Sequence, residues 1–191
     1  MPLLDEVLAN NARFVAERQG ALTRTPARRI VIFTCMDTRL VEFLEPAMGI
    51  RRGDAKVIKN AGTAVLDPFG GVIRSLVVAI YALGCEEVFV IGHLDCGMAQ
   101  LDHAAVEKRM LATGVSSEAI AALKPGLAEW LGGFKDVHGN VRNVVGLLRR
   151  NPLITAGVPV HGLMFDPNSG RLELLEDGYR AIPPGGARRR R

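Results

Sequence analysis

The sequence contains few aromatic residues, few cysteines and no long uncharged apolar run. Aromatic side chains make up 5% of its 191 residues, and there are three cysteines, which cannot all pair within one chain. In a chain without a secretion signal, this favours metal binding or reduced thiols over disulfides. The longest uncharged apolar run, Ser75 to Cys85, has 11 residues and is too short to cross a bilayer. We accordingly expect no membrane partner, and cysteines that stay reduced or bind a metal.

The positive charge of the chain lies in its last residues. The formal net charge is +4, and the run Arg188 to Arg191 supplies all of it. We therefore expect no nucleic-acid partner and interpret residues 183–191 as a flexible Pro/Gly/Arg tail. The first residues include Asp5 and Glu6 instead of a continuous apolar core, so no secretory signal is predicted. Together with the unpaired cysteines, these features predict a cytoplasmic protein.

The length fits a single α/β domain over residues 1–182, with an N-terminal helical arm at about residues 3–20. A composition that is 48% hydrophobic, with 21 glycines, suits strands that are covered on both faces. The last two strands predict a hairpin, so an antiparallel edge strand should close an otherwise parallel sheet. Strands are predicted at 30–33, 56–59, 87–91, 158–165 and 171–175, helices at 3–18, 41–48, 70–83, 98–114, 116–123 and 140–150, and an irregular segment at 124–134.

Two of these strands end in residues that can bind a metal. Cys35 follows the first strand, and His93 and Cys96 follow the strand at 87–91. Because chemistry in an open α/β sheet collects at the carboxyl ends of the strands, these side chains should meet in one site. Two cysteines and one histidine form a three-ligand zinc set that leaves a fourth position for water.

Asp37 and Arg39 predict a switch beside that site. Asp37 is two residues from Cys35, close enough either to bind the metal or to orient its water. Arg39 is the natural bidentate partner of such a carboxylate. With Arg39 holding Asp37, the fourth metal position would be open to water, and with Asp37 on the metal it would be closed.

The motifs alone leave other interpretations open. The metal-binding residues could be buried core cysteines and a hydrogen-bonded histidine, or the cysteines could be redox or nucleophilic thiols. The turn Asn60–Gly62 could be an ordinary strand-to-helix connection. A closed structural zinc site would need a fourth ligand, and Cys85, at the start of a strand, is expected to pack in the core. We predict a hydrogen-bonded core position for His161 and surface positions for His103 and His138.

The joint pattern resembles that of the β-class carbonic anhydrases, in particular their small archaeal-type branch. Cys-x-Asp-x-Arg at 35–39 and His-x-x-Cys-Gly at 93–97 carry the resemblance. It covers about residues 4–175 and includes the segments 48–62, 71–75, 78–84 and 160–163. The family fold implies four parallel strands plus an antiparallel edge strand, flanked by helices.

The resemblance also implies a site and an assembly. One Zn²⁺ per subunit would be bound by Cys35, His93 and Cys96, and Asp37 with Arg39 would form the catalytic dyad. The chain would form a homodimer or a higher even oligomer, with active sites near the subunit interface. The substrate pocket would be lined by Met36, Asn60, Ala61, Gly62, Thr63 and Gly97.

The implied activity is the reversible hydration of CO2 to bicarbonate and a proton by a zinc-bound hydroxide. The segment Thr63 to Val65 and the loop 66–71 depart from the pattern of the branch and border the pocket. A carbonyl sulfide hydrolase, which converts carbonyl sulfide and water to CO2 and hydrogen sulfide on the same zinc site, is therefore the first alternative. A non-catalytic zinc-binding member of the family is the second.

Overall fold

The computed structural model describes residues 3–17 and 23–182. Residues 18–20 of the predicted arm and the predicted tail 183–191 lie outside the described residues, so these two boundaries stay predictions. The strands are β1 (Ile30–Cys35), β2 (Ala55–Asn60), β3 (Glu87–His93), β4 (Val160–Phe165) and β5 (Leu172–Glu176). The helices are α1 (Leu3–Glu17), α2 (Leu44–Ala47), α3 (Gly71–Val77), α4 (His103–Ala112), α5 (Ser117–Ala121), α6 (Leu127–Leu131) and α7 (Val137–Arg150).

The five strands form one mixed sheet in the order β2-β1-β3-β4-β5. β1 runs parallel to both β2 and β3, β3 runs parallel to β4, and β5 pairs antiparallel with β4. Every residue of β1 is buried, as expected for a continuous apolar run that is covered on both faces. The predicted fold class, four parallel strands with an antiparallel edge strand and flanking helices, is confirmed.

Apolar side chains cover the sheet on both faces. On one face, Val31 of β1 packs in a cluster with Leu76 of α3 and Val144 of α7. On the other face, Ile32 packs in a second cluster with Leu40, from the segment that follows β1. Because successive residues of a strand point to opposite faces, β1 contributes to both clusters and its end is held rigidly.

Two helix predictions in the first half of the chain were wrong in extent or in burial. The helix predicted at 41–48 is limited to α2, because Glu42 has a positive φ of 55°, which a right-handed helix does not accept. The helix predicted at 70–83 was expected to be buried. In the structure, α3 is followed directly by a π-helical segment, Val78–Ala82. Two side chains of this segment, Val78 and Tyr81, are 42% and 57% exposed.

The connection between β3 and α7 also differs in detail from the prediction. The helix predicted at 98–114 begins only at α4, where the Asp102 carboxylate accepts the Ala105 N–H at 3.0 Å and so caps the first turn. The segment 124–134, predicted to be irregular, contains α6, whose five residues are too few to give a periodic pattern. Along the described part of the chain, no helix is long and apolar enough to span a membrane.

Candidate metal centre

The candidate centre lies where the order of the strands reverses. From β1 the chain crosses to β2 on one side, and it returns to β3 on the other side of β1. In open α/β sheets the helical connections leave such a point in different directions, and ligand sites form outside the carboxyl ends of the strands there. Cys35 is the last residue of β1 and His93 the last of β3, so the fold brings both to this point. Cys96 follows in the turn after β3.

The three predicted ligands meet at this position. One ligating atom each of Cys35, His93 and Cys96 lies within 4.8 Å of the other two, and all three residues are buried. One ion could therefore contact all three after small side-chain movements. Two thiols and an imidazole, held together away from solvent, are the kind of donor set that zinc prefers.

His93 is oriented as a ligand. Its Nδ1 lies 2.8 Å from the carbonyl oxygen of Leu94, which can only accept a hydrogen bond, so Nδ1 carries the proton. In the neutral form of the ring, which is the form that binds a metal, the free lone pair is then on Nε2. That atom is buried and has no hydrogen-bond partner among the described residues. A buried polar atom without a partner is costly, and a metal ion bound between His93 and the two cysteines would satisfy it.

The two thiols differ in acidity. Burial raises the pKa of Cys96 to about 11. Burial acts in the same direction on Cys35, but the neighbouring His93 and the Gly62 N–H, 3.3 Å from its sulfur, outweigh it and lower the pKa to about 7. A cation at this position would favour the thiolate of both cysteines, because the metal binds only the deprotonated form. The residues present therefore fit a zinc ion.

Asp37 and Arg39 form a bidentate ion pair at the mouth of the centre. Arg39 donates from Nε to Asp37 Oδ1 at 3.0 Å and from Nη2 to Oδ2 at 2.8 Å. The backbone N–H of Arg39 also donates to Oδ1, at 2.9 Å. These bonds lower the pKa of Asp37 to about 2, so its carboxylate stays ionised at any ordinary pH. Asp37 Oδ2 lies 3.7 Å from His93 Nε2, beside the position an ion would take.

Asp95 was missed by the sequence analysis, although it lies inside the His93–Cys96 motif. Its carboxylate oxygen Oδ2 accepts from Arg39 Nη1 at 2.9 Å, and its carbonyl oxygen accepts from Arg39 Nη2 at 2.8 Å. Asp95 also has a positive φ of 53°. The signal that could have revealed it is the position of a carboxylate between two predicted ligands in the sequence.

The turn after β2 supports Cys35 from the neighbouring strand. In the parallel register of β1 and β2, Cys35 lies opposite Asn60, as predicted for neighbouring strands. The Asn60 side chain closes the turn with bonds of 2.7 and 3.1 Å to the backbone of Ala64. Gly62, with φ of 75°, then points its N–H at the Cys35 sulfur. Asn140, which no sequence motif identified, donates to the Gly62 carbonyl at 3.0 Å.

We expect Gly62→Ala to destabilise the fold by about 2–5 kcal/mol, from left-handed backbone strain plus overpacking. A Cβ at Gly62 would lie 2.9 Å from atoms of Met98 and Phe134. Urea unfolding of the metal-free protein measures the loss. Gly114→Ala is the matched control, because Gly114 also has a positive φ, of 97°, but nothing lies within 4 Å of its Cβ position. Equal losses for the two variants would contradict the packing argument.

The remaining predicted pocket residues occupy different depths. Met36 is 64% exposed at the rim, and Gly97 is exposed at the start of a 3₁₀ turn. Ala61 is half-buried. Thr63 is completely buried, and its hydroxyl donates to the Ile91 carbonyl at 3.2 Å. Thr63 therefore supports the end of β3 and does not offer its hydroxyl to a substrate.

Cys85 and the three histidines that were not predicted as ligands lie outside the candidate centre. Cys85 is buried at the opposite end of the sheet, and its thiol lies 3.4 Å from the Ile30 carbonyl. His161 is a core residue whose Nδ1 accepts the Gly178 N–H at 3.1 Å, as predicted. The other two histidines, which were predicted at the surface, are half-buried. Nε2 of His103 lies 2.7 Å from the Gly132 carbonyl, and Nε2 of His138 lies 4.0 Å from the Glu173 carboxylate.

The family model described as carbonic anhydrase matches residues 30–172, which include every residue of the centre. YvdA of Bacillus subtilis, named as a putative carbonic anhydrase, is 42% identical over 185 residues, with 94% of each chain covered. The carbon disulfide hydrolase of Saccharolobus solfataricus is 32% identical over 160 residues, with 76% of each chain covered.

A solved structure has the same fold. The β-carbonic anhydrase TvaCA1 of Trichomonas vaginalis matches with a TM-score of 0.88 and 38% sequence identity, covering 94% of this chain and all of that one. At this sequence identity and coverage, the similarity indicates membership of the same family as well as the same fold. Together with the family model, it identifies this chain as a member of the β-class carbonic anhydrase family.

Proposed function

We propose that this chain is a zinc enzyme that catalyses the reversible hydration of CO2 to bicarbonate and a proton. The observation that carries the proposal is the convergence of Cys35, His93 and Cys96 within 4.8 Å beside an ionised Asp37. Two thiolates and one imidazole leave a fourth position on zinc, as catalytic zinc sites require. Membership of the β-class carbonic anhydrase family supports the same assignment.

In this proposal each residue of the centre has a separate task. Cys35, His93 and Cys96 would hold the ion, and bound Zn²⁺ would supply the Lewis acidity that makes water a nucleophile near neutral pH. Asp37 stays ionised, so it can accept a hydrogen bond from that water and orient it. Arg39 holds the carboxylate in place through its bidentate bonds.

CO2 makes few demands on its pocket. It is small, uncharged and linear, so an apolar wall next to an oriented water is sufficient to position its carbon. Met36 at the rim and the half-buried Ala61 supply apolar surface of this kind. The buried hydroxyl of Thr63 is used by the Ile91 carbonyl, so it adds no polar group to the wall.

A hydrolase acting on carbonyl sulfide or carbon disulfide is the second candidate. Both molecules are also linear and are attacked at carbon, with hydrogen sulfide as the released product. A relative named carbon disulfide hydrolase at 32% identity favours this alternative, as do the departures at Thr63 to Val65 and in the loop 66–71. A non-catalytic zinc-binding role is weakened by the intact ion pair of Asp37 and Arg39.

Rates for the three substrates on one zinc-assayed sample test the proposal. We expect kcat/KM for CO2 hydration, measured by stopped flow at mildly alkaline pH, to exceed the values for carbonyl sulfide and carbon disulfide by at least about tenfold. The reverse order would make the protein a sulfide-releasing hydrolase. Zinc bound at one ion per subunit with no turnover of any of the three would support the non-catalytic alternative.

We also propose that the chain works as a homodimer or a higher even oligomer in the cytoplasm. The described part of α1 exposes Leu4, Val7 and Leu8 at 66%, 53% and 58%, and an apolar helix face of this kind usually packs against another surface. The cytoplasm is proposed because the cysteines are unpaired, and oxidation would remove two of the proposed metal ligands.

A further inference from the structure

Arg39 is shared between two carboxylates that use different N–H groups. Asp37 is bound through Nε and Nη2, whereas the Asp95 carboxylate is bound through Nη1. The Asp95 carbonyl adds a bond from Nη2. The Asp95 carboxylate therefore does not compete with Asp37 for the same hydrogens. It holds the far side of the guanidinium while the near side faces Asp37.

The backbone of Asp95 is strained in a way that creates these contacts. A positive φ costs a residue with a side chain roughly 1–2 kcal/mol, and Asp tolerates it better than most. At φ of 53°, the carboxylate and the carbonyl of Asp95 both reach Arg39. Strain that persists beside a functional group indicates that the surrounding structure uses it.

We propose that Asp95 is a positioning residue that keeps Arg39 on Asp37 and thereby keeps the fourth metal position open. The inference rests on the proposed zinc centre. When Arg39 is held from both sides, Asp37 stays turned away from the ion. When the Asp95 contact is lost, Arg39 gains freedom and Asp37 can move onto the ion and close the site.

The expected effect is moderate because the Asp95 side chain is 72% exposed. An exposed ion pair contributes little by itself, and salt screens it. A shift of roughly twofold to fivefold in the fraction of open sites is what a contact of this kind can produce. The contact should therefore tune the equilibrium between open and closed sites, and metal binding itself should not depend on it.

Binding of thiocyanate to the cobalt-substituted protein reports the open fraction without an activity assay. Co²⁺ at two thiolates gives a sulfur-to-metal absorption band, and an anion that takes the fourth position changes the visible spectrum. We expect Asp95→Gly, which accepts a positive φ but has no carboxylate, to weaken thiocyanate binding roughly twofold to fivefold. Asp95→Asn, which keeps an acceptor oxygen and tolerates the same φ, should weaken it less.

A double-mutant cycle with Asp37→Ala separates positioning from a general structural effect. Without Asp37 its carboxylate can no longer close the site, so adding Asp95→Gly should leave thiocyanate affinity unchanged. An equal loss in both backgrounds, or no loss with Asp37 present, would overturn the inference while leaving the zinc centre intact. Absence of the sulfur-to-cobalt band in the unmodified protein would overturn the proposed centre and this inference together.

Discussion

Cys35→Ser is expected to lower bound zinc from about one ion per subunit to less than about a tenth of one, and kcat/KM for CO2 by roughly 10²-fold or more. The serine hydroxyl does not ionise at neutral pH, so the substitution removes one anionic donor from the set of Cys35, His93 and Cys96. Of the two cysteines, Cys35 has the lower pKa, about 7, and so gives its thiolate most readily. Metal analysis after gel filtration, followed by stopped-flow hydration on the same sample, measures both effects.

Cys85→Ser is the matched control for this experiment. Cys85 is also buried, at 3% exposure, and its thiol lies near a carbonyl oxygen, so the chemical change is the same and the depth is similar. It should keep its zinc and most of its activity, with only a loss of stability. If Cys35→Ser bound as much zinc as this control, Cys35 would not be a ligand.

Asp37→Ala is expected to leave zinc bound and to lower kcat/KM for CO2 by roughly 10²–10³-fold, the contribution of a positioned acid–base group. The side chain lies beside His93 Nε2 but is not one of the three converging ligands. Its removal therefore affects the orientation of water more than the retention of the ion. Zinc content, kcat and KM are measured together, and the fall should lie in kcat, because CO2 has no charge for Asp37 to bind.

Asp54→Ala provides the comparison for Asp37→Ala. The Asp54 side chain is 22% exposed against 18% for Asp37, and it is also paired with an arginine, Arg28, but it precedes β2 at the opposite end of the sheet. Its loss should cost stability and leave turnover within about twofold of the parent value. Equal turnover in the two variants would remove Asp37 from the catalytic dyad.

The sequence by itself determined the fold class and the composition of the centre. Continuous apolar runs predict strands buried on both faces, and Cys35, His93 and Cys96 follow two of them directly. Because parallel strands present their carboxyl ends at one edge, adjacency in the sheet follows once the strands are recognised. The pairing of Asp37 with Arg39 could be predicted for a local reason, since two residues on one turn cannot be far apart.

Only the tertiary structure decided how the centre is held. Asp95 contacts Arg39 because its φ is positive, and no local pattern predicts that conformation in a residue with a side chain. Asn140 reaches the Gly62 carbonyl across 78 residues of chain, and Thr63 turns its hydroxyl inward to β3. These contacts depend on how α7 and the turn after β2 pack against the sheet, and packing of this kind is set by all neighbours at once.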